Sequence, residues 1–301
     1  MKLIRKGKVK EVYQVDDRTL EFVFSDNISV FDKVIPSSIP NKGETLCRTA
    51  QYWFRLLDKN GIKGHLIEYL PPSRMRVKRF DIIEDYDKIS TKTANYLIPL
   101  EIICRHYAAG SLMDRLRSGK VTASSLGFPE GHNVSYGEKL PRPYLETTTK
   151  LEAHDRELEE DEAKRIAGLT DDDYKKIMDT VLAIDGIIEK EAAKRGLIHV
   201  DGKKEFGYDE KRELIVIDTF GTLDEDRWWD AASYASGKAD ELSKEFVRQH
   251  YRETGYHREL MEAREKGLPE PPIPALPENV IKRVSDLYVS MFERITGEKF
   301  R

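Results

Sequence analysis

The chain is poor in cysteine: only Cys47 and Cys104 occur in 301 residues, and both sit in apolar-rich segments. Two thiols cannot make a disulfide framework. None of the seven histidines stands at metal-ligand spacing from them, so buried thiols are expected rather than a zinc site. Long apolar runs are missing as well. No stretch reaches the ~18–20 residues that span a bilayer, and the segment Met1-Lys-Leu-Ile-Arg5 lacks a signal-peptide core. A cytoplasmic protein with no membrane partner is therefore expected. Charge of one sign is not in surplus: 50 Lys and Arg face 54 Asp and Glu, a net charge of −4. That removes the basic excess of a nucleic-acid binder. There is no Walker A loop, no G-x-S-x-G elbow and no Rossmann glycine fingerprint.

What is present is a mixed α and β pattern long enough for a sizeable core. Val9–Val15 and Thr19–Ser25 read as strands around the turn Asp16-Asp17-Arg18. Leu46, Ala50, Trp53, Phe54 and Leu57 fall on one face of a helix that Gly61 stops. His65–Leu70 and Arg74–Phe80 follow as strands, with Arg74, Arg76 and Lys78 alternating onto one side. These elements make a small antiparallel first domain, residues 1–94, and the polar stretch Glu84–Asn95 connects it to a larger α+β domain, residues 95–301. There Leu97–His106 reads as a strand. Ser111 is placed to cap a short helix ending near Gly119, and Val121–Pro143 as a loop. Thr170 with Asp173 predicts a capped helix to about Arg195, its inner face carrying Tyr174, Ile177, Met178, Val181, Leu182 and Ile188. Leu197–Tyr208 and Glu213–Thr219 form a hairpin, Asp240–Glu253 a helix, Pro269–Pro277 an extended connector and Val280–Ile295 a docked amphipathic helix.

The hairpin carries the most informative spacing. With its turn centred on Glu210-Lys211, Lys203 faces Asp218, and Glu205 is diagonal to Asp218 on the same side. Diagonal neighbours lie ~7–8 Å apart, close enough for two carboxylates to share an ion. Magnesium takes such carboxylates together with waters and substrate phosphates. A shift of one residue in pairing would turn Asp218 to the other face, and spacing alone favours a surface hairpin with solvated charges. Against that stands the apolar run Ile215-Val-Ile217 ending abruptly in Asp218.

Other segments suit anions. Gly7-Lys-Val-Lys10 allows close backbone approach to a phosphate with lysines to neutralise it. In Cys104-Arg-His-Tyr-Ala-Ala-Gly-Ser111, Arg105 can clamp a carboxylate or phosphate beside Ser111 and a helix start. Arg227 lies beside Trp228-Trp229, which read as core anchors. Lys244 and Arg248 share a helix face, and His154-Asp155 follows Thr147-Thr-Thr-Lys150.

In order along nearly the whole chain, these segments resemble the phosphoribosylaminoimidazole-succinocarboxamide synthase (SAICAR synthetase) family of purine biosynthesis, in its longer form. The matching segments are Gly7–Tyr13, Asp26–Asp32, Ile39–Gly43, Glu101–Ser111, Thr147–Lys150 with His154-Asp155, Gly196–Gly207, Ile217-Asp218 with Asp224 and Arg227-Trp228, and Lys244–Arg248. The resemblance implies a two-domain α+β fold with an ATP-grasp- and kinase-like nucleotide site. It implies a ligase that joins carboxyaminoimidazole ribonucleotide to L-aspartate, with ATP and Mg2+, through an acyl phosphate. By position, Lys8, Lys10, Lys203 and Glu205 would contact ATP, Glu205 and Asp218 would hold the metal, and Lys203, Glu205 and Asp218 form the catalytic group. Arg105, Ser111, Asp224, Arg227, Lys244 and Arg248 would line the ribonucleotide site, with Asp32, Lys42, His154 and Asp155 as further substrate contacts.

The chain departs from the family's usual pattern at four places. Asn27 stands for arginine, Thr219 for an acid, Leu223-Asp-Glu-Asp-Arg227 for Pro-Asp-Ser-Ser-Arg, and Ser243 for aspartate. These leave two other readings open: a related carboxylate–amine ligase with a different substrate pair, or a catalytically idle nucleotide-binding module. The oligomeric state, homo-oligomer included, is not legible.

Overall fold

The computed structural model describes residues 1–152 and 154–301. β1 (Lys2–Lys6), β2 (Lys10–Gln14), β3 (Thr19–Phe24), β6 (Leu66–Leu70) and β7 (Arg74–Lys78) form an antiparallel sheet in the order β1-β2-β3-β7-β6. A separate pair, β4 (Asn27–Val30) and β5 (Lys33–Ser38), and the helix α1 (Lys42–Lys59) complete the first part. The helix forms where the 3.6-residue apolar spacing predicts, and Leu46, Ala50, Trp53, Phe54 and Leu57 are all buried. Arg74, Arg76 and Lys78 do alternate outward along β7 while Met75 and Val77 are buried.

The second sheet is built on two long strands, β8 (Tyr96–Tyr107) and β10 (Leu197–Tyr208), in the order β11-β10-β8-β9. β9 is Lys139–Thr149, β11 is Leu214–Ile217, and β12 (Asp226–Asp230) pairs with β10 on the same edge as β11. Thus β11 covers Glu205–Tyr208 and β12 covers Leu197–Gly202, end to end along one strand. The chain between them, residues 218–225, must leave the sheet opposite Lys203 and Lys204. The helices are α2 (Ser111–Arg117), α3 (Glu160–Ala167), α4 (Asp171–Ala193), α5 (Ala231–Ala235), α6 (Glu245–Glu253), α7 (Tyr256–Glu265) and α8 (Glu278–Thr296). The capping box at Thr170 and Asp173 is formed as expected, and α4 packs across β10 and β8. The C-terminal helix α8 lies on α1, and one buried cluster runs through both parts of the chain, from Trp53 and Met75 to Ile98, Phe206 and Tyr288. The separation near residue 94 is thus one of sheets, while the core is continuous.

Several sequence readings need correction. Val121–Pro143 is not all loop, because β9 begins at Lys139, its β character masked by Pro141 and Pro143. Leu182 is 40% exposed, and Ile184 and Asp185 take the inner face of α4 instead. The helix expected from Asp240 starts only at Glu245. Ser111 does not cap α2: Gly110 holds that position, with no side-chain cap bond. Among the described residues no helix is long and apolar enough to cross a membrane.

Candidate functional site

The hairpin register differs by one residue from the expected one. Glu205 pairs with Ile217, because the turn is a five-residue loop, Asp209–Glu213, with Arg212 in the left-handed region at φ 58°. On strand parity alone Asp218 would now face away from Glu205. It does not, since β11 ends at Ile217 and Asp218 is itself left-handed, φ 57°. Aspartate tolerates that conformation better than most residues, and an outlier of this kind is usually retained where it aims a side chain. The turn brings Asp218 to Lys10 and into the field of Lys150, which also pairs with Glu205. His65 Nε2 lies 3.2 Å from the Asp218 carbonyl oxygen, fixing the backbone of this turn.

Around the two carboxylates sit three lysines from three elements. Lys10 leaves the tight turn closed by the Gly7 N–H to the Lys10 carbonyl (2.9 Å), and it pairs with Asp218. Lys150 follows β9 and pairs with Glu205. Lys203 Nζ is 2.7 Å from Glu101 Oε1, 2.9 Å from Glu205 Oε1 and 3.7 Å from Glu225 Oε2. Burial works against the charge on Glu205 and Asp218, but Lys150 and Lys203 hold Glu205 below the usual carboxylate range, and Lys10 and Lys150 do the same for Asp218. Burial raises Glu101 from 4.5 to about 7, with Lys203 opposing and Glu205 adding to the rise. Burial likewise raises Glu225. Carboxylates in this number, four against three ammonium groups, suit a hard divalent cation bound with a polyphosphate.

A second group centres on Asp224. Its Oδ2 accepts from Lys42 Nζ at 2.8 Å and lies 3.8 Å from Lys244 Nζ, while Oδ1 accepts from Tyr288 Oη at 2.5 Å. Burial opposes its charge, yet Lys244 and Lys42 keep the carboxyl well below its ordinary range. Lys42 has no exposed side-chain surface, so it reaches Asp224 and nothing outside.

The third group gathers the arginines. Arg105 Nε donates to Glu146 (2.6 Å), Nη1 to Asp201 (3.2 Å) and Nη2 to the Ser111 hydroxyl (3.1 Å). Arg227 Nη1 donates to the same Asp201 oxygen at 2.5 Å. Gly110, at φ 56°, lets this guanidinium lie against the backbone: a Cβ there would come within 2.6 Å of Arg227 Nη2. Trp228 and Trp229 are fully buried, as core anchors should be.

Beyond these, Lys8 Nζ is 2.7 Å from Asp32 Oδ1. Both line a cleft of about 320 Å³ together with Ser29, Phe31, Lys244 and Arg248. His154 is exposed near enough to Asp32 to influence its charge, whereas Asp155 is exposed and forms no hydrogen bond or ion pair among the described residues. The structure gathers the expected residues into three groups and this cleft, except that Asp155 stands apart and Lys42, expected as a substrate contact, is sealed behind Asp224. Sequence reasoning missed Glu101, Lys150, Glu146 and Asp201, which meet their partners only through strand pairing.

The opposite face of β10 holds a second charged cluster. Lys204, fully buried, pairs with Asp185 and lies 3.5 Å from Asp226. His106 Nε2 is 3.1 Å from Asp185, His199 Nε2 is 2.7 Å from Asp226, and the Gly221 N–H donates to Asp226 Oδ1 at 2.8 Å. Contrary to the sequence reading, a cysteine and a histidine do approach one another as ligands could, with Cys104, His106 and Asp185 mutually within 4.8 Å. Lys204 already neutralises Asp185, and burial pushes the Cys104 thiol far up. The cluster is a sealed ionic network rather than a place for a cation.

A family model described as SAICAR synthetase matches residues 3–263. The phosphoribosylaminoimidazole-succinocarboxamide synthase of Thermoplasma acidophilum is 54% identical over 300 residues, covering 100% of both chains. That of Saccharomyces cerevisiae is 30% identical, covering 99% of this chain and 95% of its own. Among solved structures, the S. cerevisiae SAICAR-synthase complexed with SAICAR is similar with a TM-score of 0.76 at 25% identity, covering 99% of this chain and 95% of that one. A SAICAR synthetase (Type-2) in complex with ADP is similar with a TM-score of 0.70 at 27% identity, covering 99% of both.

Proposed function

The chain belongs to the SAICAR synthetase family, whose reaction joins carboxyaminoimidazole ribonucleotide to L-aspartate with ATP, and we propose that it does so through an acyl phosphate formed beside Glu205 and Asp218. The observation that carries this reading is the convergence of Lys10, Lys150 and Lys203 on those two carboxylates. In a triphosphate complex the same lysines can exchange a carboxylate oxygen for a phosphate oxygen, one anion for another, while a bound cation would take up the freed carboxylates. ATP is assigned to the seam between the first sheet and the β10–β11 edge, in an ATP-grasp- and kinase-like manner, with Lys8 and Lys10 from the Gly7 turn. The two sheets correspond on this reading to a small domain, 1–94, and a larger one, 95–301.

Magnesium held by Glu205 and Asp218 would neutralise the phosphates and align the terminal one. The protein's own residues do the rest by position and charge. Arg105, Ser111 and Arg227 hold the ribonucleotide's phosphate. Asp224, oriented by Lys42 and Tyr288, meets its hydroxyls, and Lys244 and Arg248 meet its carboxylate end. The ribonucleotide carboxylate attacks the γ-phosphorus, the bond to the bridging oxygen breaks, and ADP departs. The aspartate amine then attacks the acyl carbon and phosphate leaves. Asp32 lines the cleft where the amino acid enters, with His154 near enough to act on its charge.

A substrate-omission assay tests the reading. Phosphate release is expected to require ATP, magnesium, the carboxylated ribonucleotide and aspartate together. Turnover without dependence on aspartate would move the assignment to another amine acceptor, and no turnover with any amine would leave only nucleotide binding.

A further inference from the structure

Two adjacent acids, Glu225 and Asp226, have opposite surroundings. Asp226 is fully buried and spent on His199, Lys204 and the Gly221 N–H. The Glu225 side chain is 27% exposed, and its nearest cation is Lys203 at 3.7 Å, a lysine that makes shorter contacts to Glu101 and Glu205. Among the described residues Glu225 makes no hydrogen bond. It is thus a carboxylate inside the site whose hydrogen-bonding capacity is unused.

Its position is specific. Residues 218–225 form the segment that leaves the sheet between β11 and β12, with Asp218 at one end beside the lysines and Asp224 at the other beside Lys42 and Lys244. Arg227, two residues on, reaches Asp201 and the Arg105 group. Glu225 therefore stands where the phosphate-binding side meets the ribonucleotide side. On the reading given above, the activated carboxyl must lie at that junction, because one substrate brings its carboxylate from one side and the other its phosphoryl group from the other.

The second nucleophile reaches that point as an ammonium ion, which cannot attack. We propose that Glu225 accepts a hydrogen bond from the ammonium of the incoming aspartate and takes its proton, freeing the amine to form the carbon–nitrogen bond. The nitrogen's lone pair forms the new bond to the acyl carbon, and the carbon–oxygen bond to phosphate breaks with its electron pair leaving on phosphate. Two protons are released in all: one passes to Glu225 and then to solvent, and the other departs with hydrogen phosphate. No oxidation or reduction is involved. The upward push that burial gives this carboxyl brings it nearer to the range in which a general base works at neutral pH.

The test uses two nucleophiles on the full-length enzyme. Hydroxylamine is largely unprotonated at neutral pH and traps acyl phosphates without first giving up an ammonium proton. With ATP, magnesium and the carboxylated ribonucleotide, Glu225→Gln is expected to lose roughly 10²-fold or more of aspartate-dependent turnover, while hydroxylamine-dependent ADP release stays at the wild-type level. Equal losses with both nucleophiles would overturn the proposal, assigning Glu225 to phosphoryl transfer or to the fold. Unchanged turnover with aspartate would overturn it as well. Failure of the wild-type enzyme to form any hydroxamate would remove the acyl phosphate itself, and the role of Glu225 with it.

Discussion

Lys203 and Lys204 are adjacent on β10 and point to opposite faces of the sheet. Lys204 has no exposed side-chain surface, and Asp185 and Asp226 flank it, each bound in turn by a histidine. Lys203 is 25% exposed and lies against three carboxylates, of which it shares Glu101 and Glu205 with Lys150. On the sealed side Trp228 and the aromatic walls exclude water, its ring centroid 4.9 Å from that of His199, and every ion has a fixed partner. A Cβ on Gly202 would collide with the Asp226 carboxylate, so even the backbone is fitted to that network. On the open side acids outnumber bases and partners are shared. Identical chemistry one residue apart therefore serves two ends: charges given fixed partners and dehydrated hold strands together, whereas charges left in surplus and partly wet are available to a ligand.

The comparison can be broken most decisively on the open side. Glu205→Gln and Asp218→Asn are each expected to lower turnover by about 10²–10³-fold, with the thermal midpoint somewhat lowered, because the lysines that hold both carboxyls below their ordinary range each lose a partner. Near-wild-type turnover in both variants would dissolve the metal assignment. The sealed side should respond in the opposite sense. Lys204→Met strips the counter-charge from two buried aspartates and is expected to cost about 3–5 kcal/mol of stability in urea unfolding, while the fraction still folded keeps its substrate KM values. A loss under about 1 kcal/mol would show that the sealed face is no more than an exposed pair in energetic terms.

A smaller effect sharpens the contrast by pH. Glu101 is raised from 4.5 to about 7 in the fold. Its contribution to stability is therefore fully present below the unfolded value and is lost as pH rises through about 7, the unfolded chain giving up its proton first. In metal-free buffer the Glu101→Gln variant is expected to gain stability relative to wild type between about pH 4.5 and 7, read as the difference in thermal midpoint. Asp185 is held well below the carboxylate range by Lys204 despite its burial, so this aspartate should contribute no slope in that window. A slope undiminished in Glu101→Gln would place the titrating group elsewhere, at Glu225 first, whose carboxyl burial also raises.

How much of this was legible in the sequence depends on whether the signal was local. α1, α4 and α8 were readable because an apolar stripe and a Thr170–Asp173 cap are written within one element. β9 was hidden by its two prolines, and β12 because Trp228-Trp229 describes a core but not a strand. The site residues read from ordered motifs came together, yet Glu101 and Lys150 did not announce themselves. Their meaning arises from β8, β9 and β10 lying side by side, a nonlocal fact. The register error has the same origin: one left-handed arginine at position 212 lengthened the turn, and no pattern of polarity around Arg212 reveals it.

Asp218 carries two demands at once, a left-handed backbone and an oxygen donor, and this narrows what heredity can write there. Glycine would keep the turn and lose the donor. Glutamate would keep the charge but resist the backbone. Asparagine alone would satisfy the geometry while halving the chemistry. A single letter at this position should therefore sort working copies of the chain from silent ones, a diagnosis that the freer surroundings of Asp155 could never give.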